Sequence, residues 1–149
     1  MNVALAFQFF HIYEALIICE NRHEDLEDCE GTIKFCERIT KLIRAMNSRT
    51  AFSAMTTDNE SWKIIEDFLK YLEEWKTVAK EKNYECLSDN CSYGLKISLK
   101  ASLEICEFLI TKCNFKYLMT ARLNQDSLEV TFFPFYYAKN TAIAFDFSG

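Results

Sequence analysis

A mainly α-helical fold is what this sequence predicts, and three observations carry the prediction. Apolar residues recur at helical spacing along four stretches, half of the 149 residues are hydrophobic, and the chain holds only three glycines and one proline. So few breakers leave little room for long irregular segments. The length is that of one domain, and the apolar share can supply a sizeable core.

Val3, Phe7, Phe10, Tyr13 or Glu14, and Ile17 place a first helix over residues 3–19 with a wide apolar face. Gln8, His11 and Glu14 interrupt the apolar run from Met1 to Cys19, and neither a basic start nor a small-residue cleavage site accompanies it. The stretch therefore reads as a buried amphipathic helix rather than a leader or a membrane span. A start directly on such a helix is expected of a Met1 that was internal to a longer ancestral protein. Glu20 to Gly31 is acidic and polar and is expected to be a solvated loop, without the alternating carboxylates and glycine of a calcium loop.

Ile33, Cys36, Ile39, Ile43 and Met46 predict a second helix, entered through Thr32 and ended by Asn47-Ser48-Arg49-Thr50. Thr57 and Glu60 have capping-box spacing ahead of a third, marked by Trp62, Ile65, Phe68 or Leu69, Leu72 and Trp75. Its opposite face carries mixed charge, and the two tryptophans read as core or inter-helix anchors rather than a base-stacking platform, which comes with basic tracks. Lys80 to Asn90 is expected to be a loop, after which Ser92 caps a fourth helix bearing Leu95, Leu99, Leu103, Cys106, Leu109 or Ile110, and Cys113.

Phe115 to Met119 then predicts a short strand or extended link leading to Asn124-Gln125-Asp126, which can open a helix. Asp126 and Glu129 stand three apart, so on that helix they share a face with Cβ atoms roughly 5–6 Å apart. Such a pair suits a divalent cation such as Mg²⁺, and equally serves as a cap and a dipole partner. The helix should end before Pro134.

The balance of 17 basic against 22 acidic residues gives a net charge of −5, which argues against a self-sufficient DNA-binding domain. Seven cysteines, an odd number without close pairs, read as reduced thiols, with Cys36, Cys106 and Cys113 on apolar stripes where thiols act as small hydrophobes. A structural zinc site usually shows tight ligand pairs, which are missing here. No GxxxxGK[ST] phosphate loop occurs, which excludes a P-loop NTPase.

The segment Leu123-Asn124-Gln125-Asp126-Ser127-Leu128-Glu129, followed by Phe132-Phe133, resembles the LNQDxLE segment with trailing aromatics of P-element-type transposases, including the THAP-domain proteins derived from them. Met46-Asn47-Ser48-Arg49-Thr50, the Trp62 to Trp75 helix and Gly94-Leu95-Lys96-Ile97-Ser98-Leu99 are similar to further pieces of that family in the same order. In that family an RNase H-like catalytic domain is interrupted by a helical insertion domain that binds guanine nucleotide. The resemblance implies a helical insertion-domain portion of the GTP-binding type over residues 1–114. It implies a partial RNase H-like segment with a short extended piece and a returning helix over 115–133, and leaves a divergent, irregular aromatic tail over 134–149.

Under this resemblance Asp126 and Glu129 are catalytic and metal-binding residues for Mg²⁺ in DNA strand cleavage and joining, with GTP as cofactor and Arg122, Lys116 and Lys112 contacting nucleic-acid phosphate. The GTP ligands are not assigned; the helix ends and loops around Asn47 to Thr57 or Ser88 to Ser92 are the places considered. After Glu129 the chain departs from the family, and residues 130–149 are read as translated intron or frameshifted sequence. The further carboxylates of the family come from strands before the insertion domain, and its zinc-binding THAP domain is not found here, so the enzyme reading is ancestral and this chain alone is expected to be inactive. A nuclear setting, DNA as partner of the full-length family, no membrane and an open possibility of self-association complete the expectation. Two alternatives stand beside it: a small helical interaction protein, and a nucleotide-binding module without catalysis.

Overall fold

The computed structural model describes residues 8–19 and 29–124. Among them stand four α-helices, α1 (Ile12–Cys19), α2 (Glu30–Met46), α3 (Glu60–Lys82) and α4 (Asp89–Cys113), followed by a 3-10 turn at Thr120–Arg122. The fold is mainly α, as predicted. Each helix packs on its neighbour in the chain, so that α3 lies between α2 and α4 while α1 covers part of α2.

The core grows from the predicted stripes. Leu42 and Ala45 of α2, Ile65, Phe68 and Leu72 of α3, and Leu99 and Cys106 of α4 are buried together with Met55 and Leu118. Burial of a large apolar side chain contributes roughly 1.5–3 kcal/mol, so Phe68, Ile65 and Leu99 are its principal anchors. Trp75 meets Phe35 of α2 edge-on at 5.8 Å and stacks on Tyr71 at 5.7 Å, the inter-helix anchoring expected of it. Thr40 also donates to the Phe10 carbonyl, tying the start of the described chain to α2.

Several boundaries differ from expectation for local reasons. The second helix begins at Glu30 rather than Thr32: its first turn is held by the Glu30–Lys34 ion pair, and Cys29 supplies no side-chain cap. The third is capped by Asn59, not by Thr57, because the Asn59 carboxamide accepts from the Trp62 N–H while donating to the Ala54 carbonyl. The fourth is capped by Ser88, whose hydroxyl accepts from the Cys91 N–H, and Ser92 is buried inside the helix instead. The loop between α3 and α4 thereby shrinks to residues 83–88. Asn83 and Asn114 end α3 and α4 in the left-handed conformation, with φ of 54° and 57°.

Two further expectations are corrected. Over its described residues, 8–19, the first helix is broken by a turn at His11 and is not fully buried: Phe10 and Tyr13 are half-buried, while Ile12, Ile17 and Ile18 are exposed. Its apolar residues surround the helix, and α2 can cover one side only. Cys113 is exposed, whereas Cys36 and Cys106 are buried. The extended link at Phe115 to Met119 forms a single antiparallel bridge, Leu118 with Met55, and no longer strand pairs with it among the described residues. Most of the acidic stretch Glu20 to Gly31 lies outside the described residues, although Glu30 and Gly31 belong to α2.

Candidate functional site

Two features bring polar groups together. The first fastens the chain's return to the end of α2. Ser48 and Thr120 are both buried and lie 72 residues apart in sequence. The Thr120 hydroxyl donates to the Ala45 carbonyl at 2.7 Å and accepts from the Ser48 N–H at 3.0 Å, while the Ser48 hydroxyl accepts from the Thr120 N–H at 2.9 Å. With the Thr120 proton given to Ala45, the 2.9 Å contact between the two hydroxyls has Ser48 as donor. A 3.2 Å bond from the Ala121 N–H to the Ser48 carbonyl and one of 3.2 Å from the Asn124 amide to the Asn47 side-chain oxygen extend the clasp.

The carbonyl-to-amide exchange of Met55 and Leu118, at 2.8 and 2.9 Å, holds the same segment from its other side. The sequence marks Asn47 to Thr50 as the end of the second helix, and the structure shows what that end is fastened to. A serine and a threonine so far apart carry no mutual signal in the chain.

The second feature is an open groove of about 500 Å³ between α2 and α3. From α2 come Lys34, Glu37, Arg38 and Lys41, and from α3 come Glu60, Lys63 and Asp67 over a floor of Ile64 and Phe68. Four cationic groups face three carboxylates, an excess of positive charge in a chain whose net charge is −5. Lys41 reaches Glu37 at 2.7 Å, and the hydrogen bond from Lys34 lowers the Glu30 pKa at the groove's edge.

The Arg38 guanidinium lies 4.0 Å from the centroid of the Tyr71 ring, which presents that cation in a fixed place. Lys34, Arg38 and Lys41 recur at helical spacing, and that was the signal available in the sequence. Within the groove Lys34 is paired with Glu30, Lys41 with Glu37 and Asp67 with Lys70, so Arg38 and Lys63 are the cations of the lining with no ion pair among the described residues. Ammonium and guanidinium groups donate to anionic oxygens, and carboxylates accept from N–H donors or hold a cation.

Asp126 and Glu129 lie outside the described residues. Lys112, Lys116 and Arg122 are exposed; Lys116 and Arg122 share the lining of an open apolar pocket of about 470 Å³ with Phe115, Tyr117, Leu118 and Met119, and Lys112 does not join them. Of the two loops considered for nucleotide, Asn47 to Thr57 supplies the clasp, and Ser88 to Ser92 the start of α4. Among the described residues no group of three or more His, Cys, Asp or Glu side chains comes together to hold a metal, and no helix is long and apolar enough to cross a membrane.

Comparison with known proteins bears on the first part of the chain. No curated protein and no solved structure matches it. The matched range of a family's sequence model runs through α1, α2 and the connection to Asn59, and so includes Ser48 and the α2 wall of the groove. Residues 1–59 are similar to the TNP-like, GTP-binding insertion domain, which supports an origin of this part of the chain in a transposase family.

Proposed function

We propose that this chain derives from a P-element-type transposase and keeps the guanine-nucleotide function of the insertion domain, with the nucleotide seated in the α2–α3 groove. The observation that carries the reading is the family match over residues 1–59, because it extends well beyond Met46 to Thr50, the one piece of the resemblance it contains, and lies apart from the LNQDSLE segment. In the groove Lys34, Arg38, Lys41 and Lys63 meet the phosphates. Glu60 and Asp67 accept from the N1–H and 2-amino group of guanine, donors that adenine does not present in the same place. A carboxylate left facing an acceptor is penalised, so the groove favours GTP over ATP.

The rest of the reading concerns the complete protein. There Asp126 and Glu129 hold Mg²⁺, and Lys112, Lys116 and Arg122 contact DNA phosphate in the nucleus. Asp126 and Glu129 lie outside the described residues, so no strand-cleavage step is assigned to this chain.

Equilibrium binding of a fluorescent GTP analogue to the full chain, with unlabelled GTP and ATP as competitors, tests the nucleotide reading. GTP is expected to compete well and ATP poorly, and Lys63→Glu is expected to weaken binding about tenfold or more, which corresponds to at least 1.4 kcal/mol. Binding that Lys63→Glu leaves unchanged would move the nucleotide away from the groove. Absence of binding would remove the nucleotide function itself.

A further inference from the structure

We propose that α4 is a self-association surface through which two copies of this chain pair antiparallel, turned about Ala101. Independently of the nucleotide reading, α4 is apolar on two opposite sides. Leu99, Ser102 and Cys106 are buried toward the core. Tyr93, Ile97, Ala101, Ile105 and Phe108 recur every three or four residues on the far side, a stripe about 22 Å long at the 1.5 Å rise of a helix. Tyr93 is 68 % exposed, Ile97 48 %, Ile105 40 % and Phe108 58 %. A helix with apolar residues on both faces is one that is covered on both, and among the described residues nothing covers this stripe.

Charge beside the stripe identifies what does. Lys96 and Lys100 flank its first half, Glu104 and Glu107 its second. Lys96 is engaged within the chain, 2.7 Å from Glu73. Glu104 and Glu107 are exposed and form no ion pair among the described residues; Lys100 is exposed too, and its charge adds to that of Lys96 in lowering the Glu73 pKa. A second copy of α4 laid antiparallel about Ala101 sets Ile97 against its Ile105 and brings Tyr93 beside its Phe108. It lays the basic half of the flank, Lys96 and Lys100, along its acidic half, Glu104 and Glu107, with Lys100 two positions from its Glu104. The small side chain of Ala101 at the centre allows the helices to approach. A parallel pair would set Lys100 on Lys100 and Glu104 on Glu104. Flanking charges of this kind select partner and orientation in helix pairs. The stripe is short for an obligate interface, so association depends on concentration.

Sedimentation equilibrium of the full chain over a wide concentration range tests this. The mass is expected to rise from the 17.5 kDa monomer toward twice that value. Ile97→Glu, at an exposed position, is expected to hold the chain at the monomer mass while helical circular dichroism is retained. Lys100→Glu and Glu104→Lys, each alone, are expected to weaken association about tenfold, and an equimolar mixture of the two to restore it, since every facing pair is then of opposite sign. Mixing leaves the contacts within each helix as they are in the single variants, so recovery reports pairing between copies. A wild-type chain that stays monomeric would overturn the proposal, as would association that Ile97→Glu does not disturb or single variants that do not recover on mixing.

Discussion

At the scale of single residues, the most consequential pair is Ser48 and Thr120. Their buried hydroxyls and amides satisfy one another, so removal of one strands the other in a buried site. Thr120→Val keeps the shape and deletes the hydroxyl, leaving the Ser48 N–H and the Ala45 carbonyl without this partner. A loss of about 2–3 kcal/mol in denaturant unfolding is expected. Thr120→Ser keeps the hydroxyl and should retain most of the stability. The thiols make a second residue-scale prediction. Burial raises the pKa of Cys36 and Cys106 and shields both, whereas Cys86, Cys91 and Cys113 are exposed. Mass spectrometry after brief alkylation of the native chain should find label on the exposed three, and on Cys36 and Cys106 only after denaturation.

At the scale of elements, the helices rest on their ends as much as on their stripes. Asn59 both caps α3 and holds the Ala54 carbonyl, so Asn59→Ala is expected to cost about 1–2 kcal/mol, measured as a shift in the unfolding midpoint. Two ion pairs join α3 to α4, Lys96 with Glu73 and Lys76 with Asp89, each at 2.7 Å. The hydrogen bond and charge of Lys96 lower the Glu73 pKa, and those of Lys76 lower that of Asp89. A depressed carboxylate adds stability above its unfolded pKa and loses it as pH falls through the folded value.

The Lys76 pKa is raised by the hydrogen bond and charge of Asp89, so its share is present below the ordinary value of 10.5 and disappears as pH rises through the folded one. Both pairs therefore act at neutral pH. The melting-temperature difference between the wild type and Glu73→Gln should be small, as exposed pairs are; it should shrink as the pH falls below the ordinary carboxylate value of 4.5 and vanish once the pH is below the depressed folded value.

At the scale of the whole molecule, the sequence made the helical class and the core stripes legible because each stripe obeys one local period. Ile65, Phe68 and Leu72 announce α3, and Leu99 and Cys106 announce α4, without reference to anything distant. Helix starts were harder, since Thr57, Asn59, Ser88 and Ser92 are all chemically able to cap. Which one does so depends on where the preceding backbone already lies. The burial expected of the first helix does not hold over its described residues, because hydrophobicity predicts that a surface is to be covered and not which segment covers it.

Of the candidate site, the basic spacing of Lys34, Arg38 and Lys41 was readable, but Lys63 joins them only when α3 packs beside α2. The clasp between Ser48 and Thr120 is wholly a product of tertiary structure.

The central claim is that the α2–α3 groove holds guanine nucleotide, and its most direct test is the melting temperature of the full chain with and without GTP and Mg²⁺, beside ATP and beside Lys63→Glu. At about one hundred times the dissociation constant, a ligand of the native state adds about 2.7 kcal/mol, or about 5 °C or more in a chain of this size. The account predicts that rise for GTP, a much smaller one for ATP, and one about half as large or less for Lys63→Glu at the same GTP concentration. A cooperatively melting wild-type chain whose midpoint GTP leaves unchanged would contradict it.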